Sequence, residues 1–157
     1  MRLSRRAALG GLAAATAAAP AVAQAPAAAF NHGVASGDPL PDRVILWTRV
    51  TPAADGPVSV RWVVARDAEL KQVVRRGTTR TDAGRDYTVK IDADRLPAGQ
   101  KLHYGFFVGT AASPVGRTMT APTSRLDRLV VASCSCSNHP AGYFNAYRAI
   151  ADLDELD

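Results

Sequence analysis

The 157 residues carry a formal net charge of +5 and a pI near 9.7, with two cysteines and 47% hydrophobic residues. A chain of that length holds one ordinary domain with something added. The basic balance is no nucleic-acid signature: Arg2, Arg5 and Arg6 precede a segment without charge until Asp38, and beyond residue 23 there remain 16 basic and 14 acidic residues, a mixed and unclustered surface.

The amino terminus has the form of an export signal. "MRLSRRAALGGLAAATAAAPAVAQA" joins a basic start to an Ala-rich apolar middle and a small-residue cleavage pattern, Ala21-Val22-Ala23. Cleavage after Ala23 is preferred to cleavage after Ala25, which Pro26 follows directly. "SRRAAL" (4–9) resembles the twin-arginine export motif, with Ala8 where that motif usually carries Phe. The Ala/Gly stretch is too mildly hydrophobic for a retained transmembrane helix, so no stable membrane insertion is expected once the signal is removed.

A series of short strands follows. "RVILWTRV" (43–50), "VSVRWVVA" (58–65), "KQVVRRGT" (71–78), "YTVKIDA" (87–93) and "KLHYGFFVG" (101–109) are rich in β-branched and aromatic residues. Tyr87, Val89 and Ile91 alternate with Thr88, Lys90 and Asp92, and Val58, Val60, Trp62 and Val64 alternate likewise, as half-buried strands require. "TPAADGP", "DAGRD" and "LPAGQ" punctuate as turns. "GVASGDPLPD" (33–42) adds a short first strand, in which Asp38 before Pro39 shapes a turn, and "SPVGRTMTAP" (113–122) adds a last one. This density of short strands and turns predicts a mostly β chain, an antiparallel sandwich of immunoglobulin or fibronectin type over residues 24–124. Trp47 and Trp62 are read as core or sheet-face residues.

"LDRLVVASC" (126–134) breaks the alternation. Leu129 to Ala132 is a continuous apolar run, the pattern of a strand covered on both faces in an α/β layer. From about Ala141, Tyr143, Phe144, Tyr147, Ile150 and Ala151 recur at helical spacing, with Asn145, Arg148 and Asp152 turned away. Residues 125–157 are thus expected to open a second layer whose apolar faces find no sheet in these 157 residues.

Taken together, "FNHGVASGDPLPDRVILWTRVTP", "DYTVKID", "GRTMTAP" and "CSNHPAGYFNAYRAIADLDELD" resemble the N-terminal part of the PhoD-type alkaline phosphatase and phosphodiesterase family, from about Phe30 onward. The pairing of "GVASGDP" with "PAGYFNAYR" at this separation is more specific than either motif alone. The resemblance implies a signal at 1–23, a fibronectin-like domain at 24–124, and at 125–157 the first strand and helix of a truncated α/β metallophosphoesterase domain. It also implies iron and calcium as cofactors, phosphate esters as substrates, and the twin-arginine machinery as export partner. The Gly-Asp-Tyr motif of that domain is not among these residues, so the chain alone is expected to be inactive.

In the resembling family one cysteine at the end of this strand is an iron ligand, a soft sulfur set among hard oxygens. Two stand here. Counting back from "GYF" favours Cys136, and counting forward from "LVVAS" favours Cys134; a two-residue insertion explains the doubling, and Cys136 is preferred. Other readings compete. A Cys-x-Cys disulfide closes too short a ring to stabilise much. A cysteine can also serve as a small hydrophobe at a strand end, and a zinc or copper site with His139 lacks a fourth ligand. Asn138 and His139, beside the cysteines, are candidates either for facing substrate or for capping the helix. Tyr104 stands near the place of a fibronectin corner tyrosine, but the expected position is occupied by Leu102. The functional alternative is a stand-alone exported sandwich that binds a partner and catalyses nothing.

Overall fold

Over Arg43–Arg49 the alternation of apolar and polar residues is realised as a strand that places every second side chain inside. A computed structural model describes residues 28–126, 128–135, 138, 142–153 and 156. In chain order the strands are β1 (Ala28–Ala29), β2 (Val34–Leu40), β3 (Arg43–Arg49), β4 (Thr51–Pro52), β5 (Val58–Ala65), β6 (Val73–Thr81), β7 (Thr88–Ala93), β8 (Lys101–Val108), β9 (Ala111–Ala112) and β10 (Gly116–Met119). Among the described residues one α-helix, α1 (Asn145–Ala151), follows.

Two sheets carry the fold. One runs β2-β3-β7 and the other β10-β8-β5-β6, with β9 pairing back on β8; a small pair joins β1 to β4. All pairings are antiparallel. Val44 and Leu46 from β3, Val89 and Ala93 from β7, Val60, Trp62 and Val64 from β5, and Leu102, Tyr104 and Phe106 from β8 share one buried cluster, so both sheets face one core. Trp62 belongs to that core, whereas Trp47 lies on the outward side of β3, between Ala35 and Lys90 of its neighbours.

Glycine on each outer strand of the larger sheet makes room for an aromatic of the strand beside it. Gly77 faces Trp62 and Gly116 faces Tyr104 across the ladder. A Cβ at 77 would lie 2.7 Å from the Trp62 ring, closer than any real Cβ approaches. In each case the aromatic covers the backbone that the glycine leaves bare.

The sheets meet at two seams. Along one, Ala121 N donates to Leu40 O at 3.2 Å and Ser36 Oγ to Arg117 O at 3.5 Å, which holds β10 beside β2. Along the other, Arg75 of β6 pairs with Asp94 just past β7 at 2.7 Å. Asp38 (φ 48°) sits at an irregularity of the β2–β3 ladder between Gly37 and Leu40, so it shapes a bulge rather than a free turn.

The second layer departs from the sequence reading. Residues 128–135 form no strand, and Leu129 and Val131 are 62% and 72% exposed. A fully apolar strand is stable only when neighbours supply its ladder and cover both faces; the sandwich strands are already paired with one another. The helix is present but begins at Asn145 rather than near Ala141, and none of its residues is buried. No helix among the described residues is long and apolar enough to cross a membrane.

The candidate ligand loop and the cleft beside it

Of the residues singled out as ligands, Cys134 is a free, half-buried thiol in the irregular segment after the sandwich. Asn138 is exposed. Cys136, His139 and the whole expected signal, 1–23, lie outside the described residues. Among the described residues no group of three or more His, Cys, Asp or Glu side chains converges on a point. Calcium requires six to eight oxygens and iron several anionic donors. The one half-buried thiol among the described residues does not by itself supply the donor set of either ion.

The structure brings together a different set. Arg117 of β10 and Lys101 of β8 lie diagonally on one face of the ladder, where Arg117 faces His103 and Met119 faces Lys101. Arg117 Nη2 donates to Ala151 O at 2.8 Å and to Leu153 O at 3.3 Å, and Lys101 Nζ donates to Leu156 O at 3.1 Å. The last carbonyls of a helix lack intrahelical donors and carry its negative end, so cations there satisfy both needs. Between helix and sandwich lies a cleft of about 430 Å³, bounded by Ser36, Pro39, Arg117 and Met119 on one side and by Ile150 and Ala151 on the other. The helix that follows the cysteine loop is therefore tied by its end to the sandwich, while Tyr143, Phe144 and Tyr147 stay exposed. Neither cation carried a signal in the sequence, because their partners are backbone carbonyls 34 to 55 residues away.

Other charges brace the sandwich. Arg49 forks onto both carboxylate oxygens of Asp86 at 2.7 and 3.0 Å, with His32 Nε2 2.6 Å from its remaining terminal nitrogen. The hydrogen bonds from Arg49 hold Asp86 below the usual carboxylate range. Arg43 does the same for Asp42. Asp67 is lowered by backbone N–H groups of Gln72 and Lys71, which it accepts at 2.6 and 3.0 Å. Tyr104 is shifted upward by burial, against a hydrogen bond with Ser36. None of these groups faces Cys134 in a way that would make a reaction centre.

The antiparallel sheets followed by one short helix define a mostly β class of chain, and comparison with known proteins gives its family. Residues 14–122 match the family model described as PhoD-like phosphatase, N-terminal domain. The chain belongs to that family. It is 37% identical over 137 residues to alkaline phosphatase D of Bacillus subtilis (strain 168), an alignment covering 82% of this chain and 23% of the relative. A solved structure titled "Structure of PhoD" superposes with a TM-score of 0.72 at 36% identity, covering 88% of this chain and 28% of the other. The chain thus spans about a quarter of the length of the proteins it matches.

Proposed function

We infer that these residues are the amino-terminal part of a secreted, metal-dependent phosphatase that hydrolyses phosphate esters. The observation that carries this is the similarity to alkaline phosphatase D, which runs through most of the chain at 37% identity. In this reading the smaller and larger sheets form a fibronectin-type sandwich over 24–124, and residues 125–157 lead into the α/β layer that holds the metals. Iron and calcium would be bound there, with Cys136 or Cys134 contributing one thiolate and further ligands coming from other segments. When bound, such ions supply an activated water and neutralise phosphoryl oxygens. The contribution of this chain's own residues is to carry the thiol and to tie the following helix to the sandwich. Asn138, exposed on the loop, and His139 beside it are candidates for facing substrate. The export route is the twin-arginine pathway, through Arg5 and Arg6.

A polypeptide of these 157 residues, supplied with iron and calcium, is expected to leave p-nitrophenyl phosphate at its background rate. Turnover of order 10 per second, ordinary for an enzyme, would show that the catalytic ligands are here after all. A second reading has one observation in its favour: among the described residues, all the buried ones lie between Ala28 and Thr120, so the sandwich builds its core from its own strands. On that reading it is an exported binding module. Expression of residues 24–124 as a cooperatively folding unit that captures a partner in the absence of any phosphatase segment would support it.

A further inference from the structure

The arginines of β3, β5 and β6 fall into two sets. Arg43, Arg49 and Arg75 each lie within 3.1 Å of a carboxylate, on Asp92, Asp86 and Asp94. Arg61, Arg76 and Arg80 make no ion pair among the described residues. All three are exposed, and the β5–β6 ladder brings them to one face: Arg80 opposite Ser59, Thr78 opposite Arg61, Arg76 opposite Val63. Arg61 therefore has the other two as diagonal neighbours at Cβ spacings of roughly 7 Å, with the Thr78 hydroxyl between them. On the other side of β5 the facing residues are Phe107 and Gly105. No carboxylate stands at any ladder position around the three.

Like charges so placed repel one another. Protection of the sheet edge accounts for cations on β6, which is an outer strand. It does not account for Arg61, which is on an inner strand. A triangle of unneutralised guanidinium groups offers several anions at once the planar, two-pronged donors that suit phosphate oxygens. The Arg61 guanidinium lies 4.1 Å over the Phe107 ring, so that ring is covered and offers no platform for stacking a base. We propose that the outward face of β5 and β6 binds a linear polyanion of closely spaced phosphate groups, with Arg61, Arg76 and Arg80 each holding one phosphate. The proposal rests on charge geometry and stands apart from the phosphatase reading, so either can fail alone.

Inorganic polyphosphate titrated into the 157-residue chain at increasing salt tests it. Binding is expected to weaken with a log–log salt slope that flattens by about 2 in R61Q/R76Q/R80Q, the share of three contacts to a single-stranded polyanion. Affinity should fall at least tenfold, or about 1.4 kcal/mol, in the same variant. R76Q/R80Q leaves the Arg61–Phe107 contact in place and should lose an intermediate amount, which keeps the test open if the triple variant fails to fold. Absence of binding overturns the proposal. So does equal binding by the folded variants, or tighter binding of single-stranded DNA or anionic phospholipid vesicles at the same salt.

Discussion

Gly116→Ala adds one methyl group at the point where β10 passes Tyr104, a buried aromatic of the core. The new Cβ would press on Tyr104 Cζ and lie 2.5 Å from Cε1 and 2.7 Å from the hydroxyl oxygen. Tyr104 has little room to yield: it is 2% exposed, stands edge-on to Phe106 with ring centroids 6.2 Å apart, and hydrogen-bonds with Ser36. Forcing a methyl into a packed core costs about 1–3 kcal/mol, and a clash this close with a trapped ring belongs at the upper end. Gly116 is not in the left-handed region, so alanine restricts the unfolded chain and returns about 0.4–1 kcal/mol. The net loss is about 2 kcal/mol, or a fall in Tm of about 10 °C for a domain of this size. Thermal unfolding followed by the fluorescence of Trp62 and Trp47 measures it. Gly37→Ala, on the same seam with nothing within 4 Å of its Cβ, is the control and should leave Tm within about 2 °C. If the two variants melt alike, the close approach of Tyr104 to β10 does not shape this fold.

Thr120→Val should cost about 1–3 kcal/mol in urea unfolding, because the fully buried Thr120 hydroxyl donates to Pro97 O at 2.6 Å and accepts from Gln100 N at 3.1 Å. Asp42, Asp67 and Asp86 titrate below their ordinary value when folded; the stability they add is complete above the usual carboxylate range and is lost as pH falls through the depressed values. Tm should therefore drop on acidification below about pH 4, less steeply in Asp86→Asn, and an unchanged profile in that variant would discount the Arg49 fork. Arg117→Ala should speed amide exchange over residues 145–153 about fivefold relative to β5 and β8, the worth of a cation at a helix C-terminus, with partial recovery in Arg117→Lys. Identical exchange in all three proteins would mean that the end of α1 is not held through Arg117.

Local pattern was sufficient for the strands. β3 (Arg43–Arg49), β5 (Val58–Ala65) and β8 (Lys101–Val108) lie within one residue of where β-branched alternation and the flanking turns placed them. Period-two patterning is a local signal, and in a half-buried antiparallel strand it matches burial directly. β6 shows the limit. Its strand was expected at 71–78 and runs Val73–Thr81, because Asp67 captures the backbone N–H groups of Lys71 and Gln72 in the preceding turn. The expected strand at 129–132 failed for another reason: an apolar run is compatible with a strand but cannot supply the neighbours that stabilise one. The cysteines were visible as residues but not as a site, since a metal centre is a convergence in space and only Cys134 of the pair lies among the described residues.

Sequence by itself determined the β character, the turn positions, the sharing of one strand face by Trp62 with Val58, Val60 and Val64, and the family, because each is written in side-chain alternation or in contiguous motifs. Only the tertiary structure decided which charges meet. Arg61, Arg76 and Arg80 are separated along the chain and become neighbours through ladder register; Arg117 reaches carbonyls that any residue could have presented. Register and backbone partners leave no mark in composition, so an apparently even scatter of charge in the sequence became a cationic face on one sheet and an anchor for the helix on its other edge.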